Sequence, residues 1–313
     1  GSGMSAGAIA AALVPIAALL ALGACLRRLR GFRSPDFWAG AERLAYFVLL
    51  PTLLFTSIAT VDLAGVPVGR VALAVVVPTV LVTGVLFALH RIVAPDAPAF
   101  TSVLQGSVRF NTYVGVSLAV SLAPGEGAAL AGIVGAILVP LVNIIATLGF
   151  EVFLVDRGSL LALVGKIVLN PLVLACALGA AVGALPFEMP DVVLGVLDPL
   201  AAAALPVGLL CVGAGLRRIE LRRHAVGLVA ASSVKLLVLP ALTLGGLVLM
   251  GVSGSMALVA LIFQSIGTAS TAYVLARQLG GDSSLMAALI AFQTAASFVT
   301  LPFVLLIGSA VLT

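Results

Sequence analysis

Apolar residues run along this chain in long stretches, not in the short alternation of a half-buried strand or the one-faced stripe of a surface helix. Charged residues and Pro/Gly-rich breaks divide the stretches into ten: Ile9 to Leu26, Trp38 to Thr60, Pro67 to His90, Phe100 to Leu122, Gly127 to Val155, Leu160 to Ala184, Val192 to Leu216, His224 to Met250, Ser255 to Gln278, and Ser284 to Leu312. A helix needs about 20 residues to cross a hydrocarbon core about 30 Å thick. Ten crossings at that length use roughly two thirds of the chain. The pattern predicts an all-α polytopic membrane protein of ten transmembrane helices joined by short loops. Of the 313 residues, 62% are hydrophobic and 9% charged, against about 45–50% apolar and about 25% charged in an ordinary soluble domain. No polar stretch is long enough to form a water-facing domain. A soluble single-domain enzyme is excluded, and function must lie in the helices and their short connections.

The formal charge is +4, and its distribution matters more than its size. Arg27, Arg28, Arg30, Arg33, Arg91, Arg157, Arg217, Arg218, Arg222, Arg223 and Arg277 all fall in odd-numbered loops, with Arg70 on the other side. The positive-inside rule therefore places the odd loops in the cytoplasm and, with ten crossings, both termini outside a cell inner (plasma) membrane. Basic residues spread over loops in this way do not point to a nucleic-acid partner. Gly1-Ser2-Gly3 ahead of Met4 reads as an expression remnant. The first apolar run has its arginines after it, whereas a secretory signal has its positive charge before, so it is expected to stay as a helix. Cys25, Cys176 and Cys211 sit in separate apolar runs, without metal or disulfide spacing.

Laid over itself at a shift of 155 to 156 residues, the chain shows an internal repeat. Pro15 falls on Pro171, Leu22-Gly23-Ala24 on Leu178-Gly179-Ala180, Leu50-Pro51 on Leu205-Pro206, and Gly125-Glu126 on Gly281-Asp282. Two units follow, 1–155 and 156–313, each of five helices. Five is odd, so the second copy enters the membrane from the opposite face. Secondary transporters have this inverted-repeat layout, with substrate near the midplane at discontinuous helices.

Polar residues inside a membrane are expensive and tend to be functional. Two runs hold most of them: the fourth has Gln105, Gly106, Ser107, Arg109, Asn111, Thr112, Tyr113 and Gly115, and the ninth has Gln264, Ser265, Gly267, Thr268, Ser270, Thr271 and Tyr273. They occupy corresponding places in the two repeats. Helices broken there would need such partners for the freed backbone groups, and the exposed half-helix N-termini would attract an anion.

Arg109-Phe110-Asn111-Thr112-Tyr113-Val114-Gly115 resembles the fourth-helix motif of the auxin efflux carrier family, which includes plant auxin exporters and bacterial organic-acid carriers. Asn170-Pro171-Leu172 is similar to the start of its sixth helix, Leu205-Pro206 with Gly213-Ala214-Gly215-Leu216 to its seventh, and Ala272-Tyr273-Val274-Leu275-Ala276 followed by Gly280-Gly281-Asp282 to the end of its ninth. The resemblance, closest to bacterial members, spans essentially the whole chain. It implies the inverted-repeat fold shared with bile acid:sodium symporters, with helices four and nine broken and crossing at mid-membrane. It also implies a scaffold of helices 1, 2, 6 and 7 and a moving transport domain of helices 3–5 and 8–10. Where the family commonly has a crossover proline, this chain is expected to have Ser117 in the fourth helix and Gly267 in the ninth. Serine interrupts a helix only weakly, so the weaker break is expected in the fourth.

Asn111, aligned with the family's crossover asparagine, leads the candidate substrate ligands, with Thr112, Tyr113, Gly267, Thr268, Ser270 and Thr271 around it. Arg109 and Lys235, the cations well inside apolar runs, are candidates for drawing in an anion. Asn143, Gln264 and Gln293 resemble the neighbourhood of sodium ligands in the related symporters, although no mid-membrane carboxylate accompanies them. Glu151 and Asp62 are candidate proton carriers, and Pro51 and Pro206 are expected to kink the scaffold. No metal, cofactor or catalytic set is indicated: His90 and His224 sit at helix ends, and paired acids or Cys/His spacing are missing, so an enzyme is not expected. The sequence predicts a carrier of small organic anions, auxin-like or dicarboxylate, working by alternating access in the bilayer. Sodium or proton coupling, a channel or receptor of the same fold, and a homodimer are the open alternatives.

Overall fold

A computed structural model describes residues 5–62, 65–154, 169–185, 189–216 and 225–312. Arg157, Arg217, Arg218, Arg222, Arg223, His224 and the first part of the predicted sixth run lie outside the described residues. Within them the chain is helical, with no strand. In chain order the helices are α1 (Ala6–Leu26), α2 (Pro35–Thr60), α3 (Val68–Ala88), α4a (Ala97–Val108), α4b (Thr112–Leu122), α5 (Gly127–Phe153), α6 (Pro171–Gly183), α7 (Asp191–Gly215), α8 (Ala225–Leu249), α9a (Gly254–Ser265), α9b (Thr271–Leu279) and α10 (Ser283–Leu312). Seven of them, α1, α2, α3, α5, α7, α8 and α10, are long and apolar enough to cross a bilayer. Apolar stripes such as Leu73, Val77 and Leu81 on α3, and Phe303, Ile307 and Val311 on α10, stand exposed at four-residue spacing. Outward-facing stripes on so many helices suit lipid and not water. This is a polytopic membrane protein.

Glycine sets the closest helix contacts. A Cβ on Gly23 would lie 2.1 Å from the Leu210 carbonyl oxygen, and one on Gly213 would lie 2.0 Å from that of Leu20, so α1 and α7 touch backbone to backbone. On Gly179 it would lie 2.9 Å from the Phe55 carbonyl oxygen, so α6 also approaches the α2 backbone closely, though less so than α1 approaches α7. Small residues permit such contact where apolar burial gives no drive between helices. α7 also packs on α2, so these four helices form one group. The second group is built on α5 and α10, against which α4a, α4b, α9a and α9b lie.

Two helices swell ahead of a proline. Leu50 N–H reaches back to the Ala45 carbonyl, and Leu239 N–H to that of Val234, making one π-turn in α2 and another in α8. Pro51 and Pro240 have no N–H to give to the fourth carbonyl before them, so the preceding turn widens. The kink predicted at Pro51 is therefore a π-turn.

The fourth and ninth runs are both broken. α4a ends at Val108, and α4b begins at Thr112 after extended backbone at Arg109 and Asn111. α9a ends at Ser265 and α9b begins at Thr271. The fourth break corrects the expectation for Ser117, which lies inside α4b. Asn111 makes the break firm without proline: its Oδ1 accepts the N–H groups of Tyr113 at 3.1 Å and Val114 at 3.3 Å. A side-chain cap of this kind satisfies donors that a helix start leaves orphaned.

Candidate functional site

The two breaks meet, because Asn111 N–H donates to the Gly267 carbonyl at 2.9 Å. Gln293, buried on α10, clamps both: its Oε1 accepts Thr268 N–H at 3.0 Å and its Nε2 donates to the Gly106 carbonyl at 2.9 Å. A Cβ on Gly267 would stand 2.9 Å from the Gln293 carbonyl carbon, so only glycine allows this approach.

Beside the junction lies a cavity of about 490 Å³, lined from α2, the fourth break, α5, the start of α6 and α9b. Arg109 enters it from the break, 8% exposed, and donates from Nη2 to Asn143 Oδ1 on α5, while its Nε is buried with no partner. Asn111 has committed its oxygen to the cap, and its Nδ2 is left buried and unpaired. The Tyr113 hydroxyl is likewise buried and unpaired, and the Tyr113 ring occupies the space that a Cβ on Gly208 of α7 would take. Three residues with an unpaired buried donor therefore line one cavity, at the positive N-terminal end of α4b. A buried donor without a partner costs about 1–3 kcal/mol.

A further part of the lining comes from α2. Glu42, half-buried, accepts a hydrogen bond from Ser270 Oγ at 3.4 Å. Tyr46, one turn on, takes a hydrogen bond on its hydroxyl from Asn170 Nδ2 at 3.2 Å. Asn170 Oδ1 also caps α6, with Pro171 at the first helical position. Phe47 and Phe110 add apolar surface. Among the described residues the cavity is thus lined by cationic and hydrogen-bonding side chains, aromatic rings and the Glu42 carboxylate.

Of the residues singled out in the sequence, Arg109, Asn111, Thr112, Tyr113, Ser270 and Thr271 line this cavity. Asn143, a candidate ion ligand, lines it too, as the partner of Arg109. Gly267, Thr268, Gln293 and Gln264 do not. The first three join the breaks, and Gln264 Nε2 donates to the Val75 carbonyl and Thr79 Oγ1 on α3. Asn143, Gln264 and Gln293 thus each have a separate set of partners. Lys235 is also outside the cavity. It is fully buried, with Nζ 3.3 Å from the Phe263 carbonyl at the end of α9a and 5.9 Å from the Phe110 ring centre. Glu151 and Asp62 do not line the cavity. Sequence reasoning missed Glu42, Tyr46 and Gln278, although an acid within the second apolar run was a legible signal.

Residues 157–305 match the family model described as Membrane transport protein, that of the auxin efflux carrier family. Over those residues the second half of the chain is similar to this family. The match runs from ahead of α6 into α10 and so includes Ser270 and Thr271 of the cavity. No curated protein matches the chain. Among the described residues no group of three or more His, Cys, Asp or Glu side chains that could hold a metal ion is found.

Proposed function

We propose that this protein is a secondary carrier of small organic anions, with the cavity beside the joined breaks as its substrate site. The observation that carries the reading is that Arg109, Asn111 and Tyr113, each with a buried donor left without a partner, line one cavity. A guanidinium and two neutral donors match a carboxylate, and Phe47, Phe110 and Tyr46 accept its apolar body.

The cavity lies between two helix groups, with α2 and α6 on one wall and the fourth break, α5 and α9b on the other. That placement supports an elevator-type movement, in which α3–α5 and α8–α10 slide against α1, α2, α6 and α7. Inverted repeats are supported by the packing: exchanging the repeats turns the α1–α7 pair into α6–α2, and both pairs are glycine contacts. By the positive-inside rule, the end of α2 that lines the cavity follows the cytoplasmic loop carrying Arg27 to Arg33, so the cavity is read as inward-facing, with both termini outside the plasma membrane.

With the inside negative, an anion leaving the cell gains about 2.3 kcal/mol per charge per 100 mV, enough for a concentration ratio of roughly 50. Export therefore needs no coupling ion, and a potential-driven uniporter is the simplest form of the proposal. The test is charge movement in proteoliposomes on addition of organic anions, at fixed pH and without sodium. Saturable currents for some carboxylates, lost in Asn111→Ala, are expected. Currents that arise only with sodium would replace the uniporter with a sodium symporter, and currents that never saturate would replace the carrier with a channel.

A further inference from the structure

Glu42, on α2, lines the cavity proposed to bind the substrate, as do Arg109 and Asn111 of the fourth break. A carboxylate there is of no help to an anion and must have another use. Among the described residues its hydrogen bond is the long one from Ser270 Oγ, at 3.4 Å, and that hydroxyl satisfies at most one of roughly four acceptor positions on an ionised carboxylate. The neighbouring Arg43 also borders the cavity, but it is exposed, where water screens its charge, whereas Glu42 is half-buried. Among the described residues, the charged side chains lining the cavity are thus Arg109, buried, Glu42, half-buried, and Arg43, exposed. The oppositely charged pair of Arg109 and Glu42 suits a molecule that is anionic at one end and donates a hydrogen bond or carries positive charge at the other.

We infer that Glu42 is a specificity-determining residue that selects monocarboxylates bearing a hydrogen-bond donor and rejects dicarboxylates. The inference rests on the anion-carrier reading and sharpens it. The first carboxylate of any substrate pairs with Arg109, Asn111 Nδ2 and the Tyr113 hydroxyl. A second carboxylate would then face Glu42 in a partly desolvated space, where like charges repel far more than in water. A hydroxyl or ammonium in its place would donate to a Glu42 oxygen and complete the acceptor's set. Rejection by a repulsive group is a common source of selectivity where attraction alone discriminates weakly.

The test is calorimetric binding of two matched series to the purified full chain in detergent: butyrate, 4-hydroxybutyrate and succinate, then benzoate, 4-hydroxybenzoate and terephthalate. In wild type the hydroxy acid is expected to bind at least about tenfold more tightly than the diacid of its series, a difference of about 1.4 kcal/mol. In Glu42→Gln the ratio is expected to fall to within about threefold, chiefly because the diacid binds better. Each protein supplies its own ratio, so a general loss of activity cancels, and the wild-type ranking stands even where the variant does not fold. A diacid that binds wild type as tightly as the hydroxy acid overturns the inference and leaves the carrier reading intact, as does an unchanged ratio in Glu42→Gln. Failure of all six acids to bind overturns both.

Discussion

Asn111 donates its backbone N–H to the Gly267 carbonyl at 2.9 Å, and this bond joins two helix breaks that lie more than 150 residues apart in sequence. Its geometry depends on Gly267 lying flat against Gln293. Gly267→Ala places a Cβ 2.9 Å from a backbone carbon of α10 and must push the break away. Transport is expected to fall by more than about tenfold, with a destabilisation of about 1–3 kcal/mol. Gly135→Ala on α5, where an added Cβ meets nothing within 4 Å, is the matched control and is expected to melt near wild type. Flux and thermal melting of the two variants check this.

Asn111 has two separable duties, since its oxygen caps α4b and its nitrogen is free for substrate. Asn111→Asp retains a capping oxygen, favoured at a helix N-terminus, but removes the donor and sets a negative charge beside the proposed carboxylate. Asn111→Ala removes both. Transport is expected to be lost in each, while only the alanine variant loses about 1 kcal/mol of stability to the missing cap. Melting temperature against flux separates the two duties, and an aspartate variant that still transports carboxylates would sink the role given to Nδ2.

Long apolar runs made the membrane helices legible, because length and hydropathy alone decide them. α2, for instance, begins within three residues of the predicted Trp38 and ends at the predicted Thr60. The breaks were legible as clusters of small and polar residues, yet the position in the fourth run was misplaced towards Ser117. Proline is not needed there, because an asparagine cap at Asn111 starts α4b. Lys235 and Gln293 were visible as intramembrane polar groups, but whether each faced the cavity or a neighbouring backbone depends on helix rotation, which a nearly uniform apolar run does not encode. Glu42 lies near the charged start of α2, where a carboxylate reads as solvated. Only tertiary packing brings it against Ser270.

Gln293 spans the two breaks with a single amide. Gln293→Leu keeps the bulk but leaves Thr268 N–H and the Gly106 carbonyl without that partner, at about 1–3 kcal/mol for each buried group. The variant is expected to melt several degrees lower and to lose transport without a direct substrate contact. Its affinity for a bound carboxylate, where the protein still folds, is expected to fall less than that of Arg109→Gln. Calorimetry on both variants checks the order, and the reverse order would make Gln293 a substrate ligand.

Lys235 tests the boundary of the site. Its ammonium is fully buried and its hydrogen bond is to the Phe263 carbonyl, a favourable place for a cation at a helix C-terminus. A hydrogen bond to a charged group contributes about 1.5–3 kcal/mol, while burying an ion costs several kcal/mol even after relaxation. Removing the charge while keeping the volume should therefore not destabilise the fold. Lys235→Met is expected to melt at or above wild type, and Lys235→Ala, which leaves a cavity, to lose about 2–5 kcal/mol. Because Lys235 does not line the substrate cavity, carboxylate affinity in the methionine variant is expected to stay within about threefold of wild type, under about 0.7 kcal/mol. A loss of tenfold or more with an unchanged melting temperature would return Lys235 to the substrate path. It would mean that the anion travels through the core behind α9a as well as past Arg109.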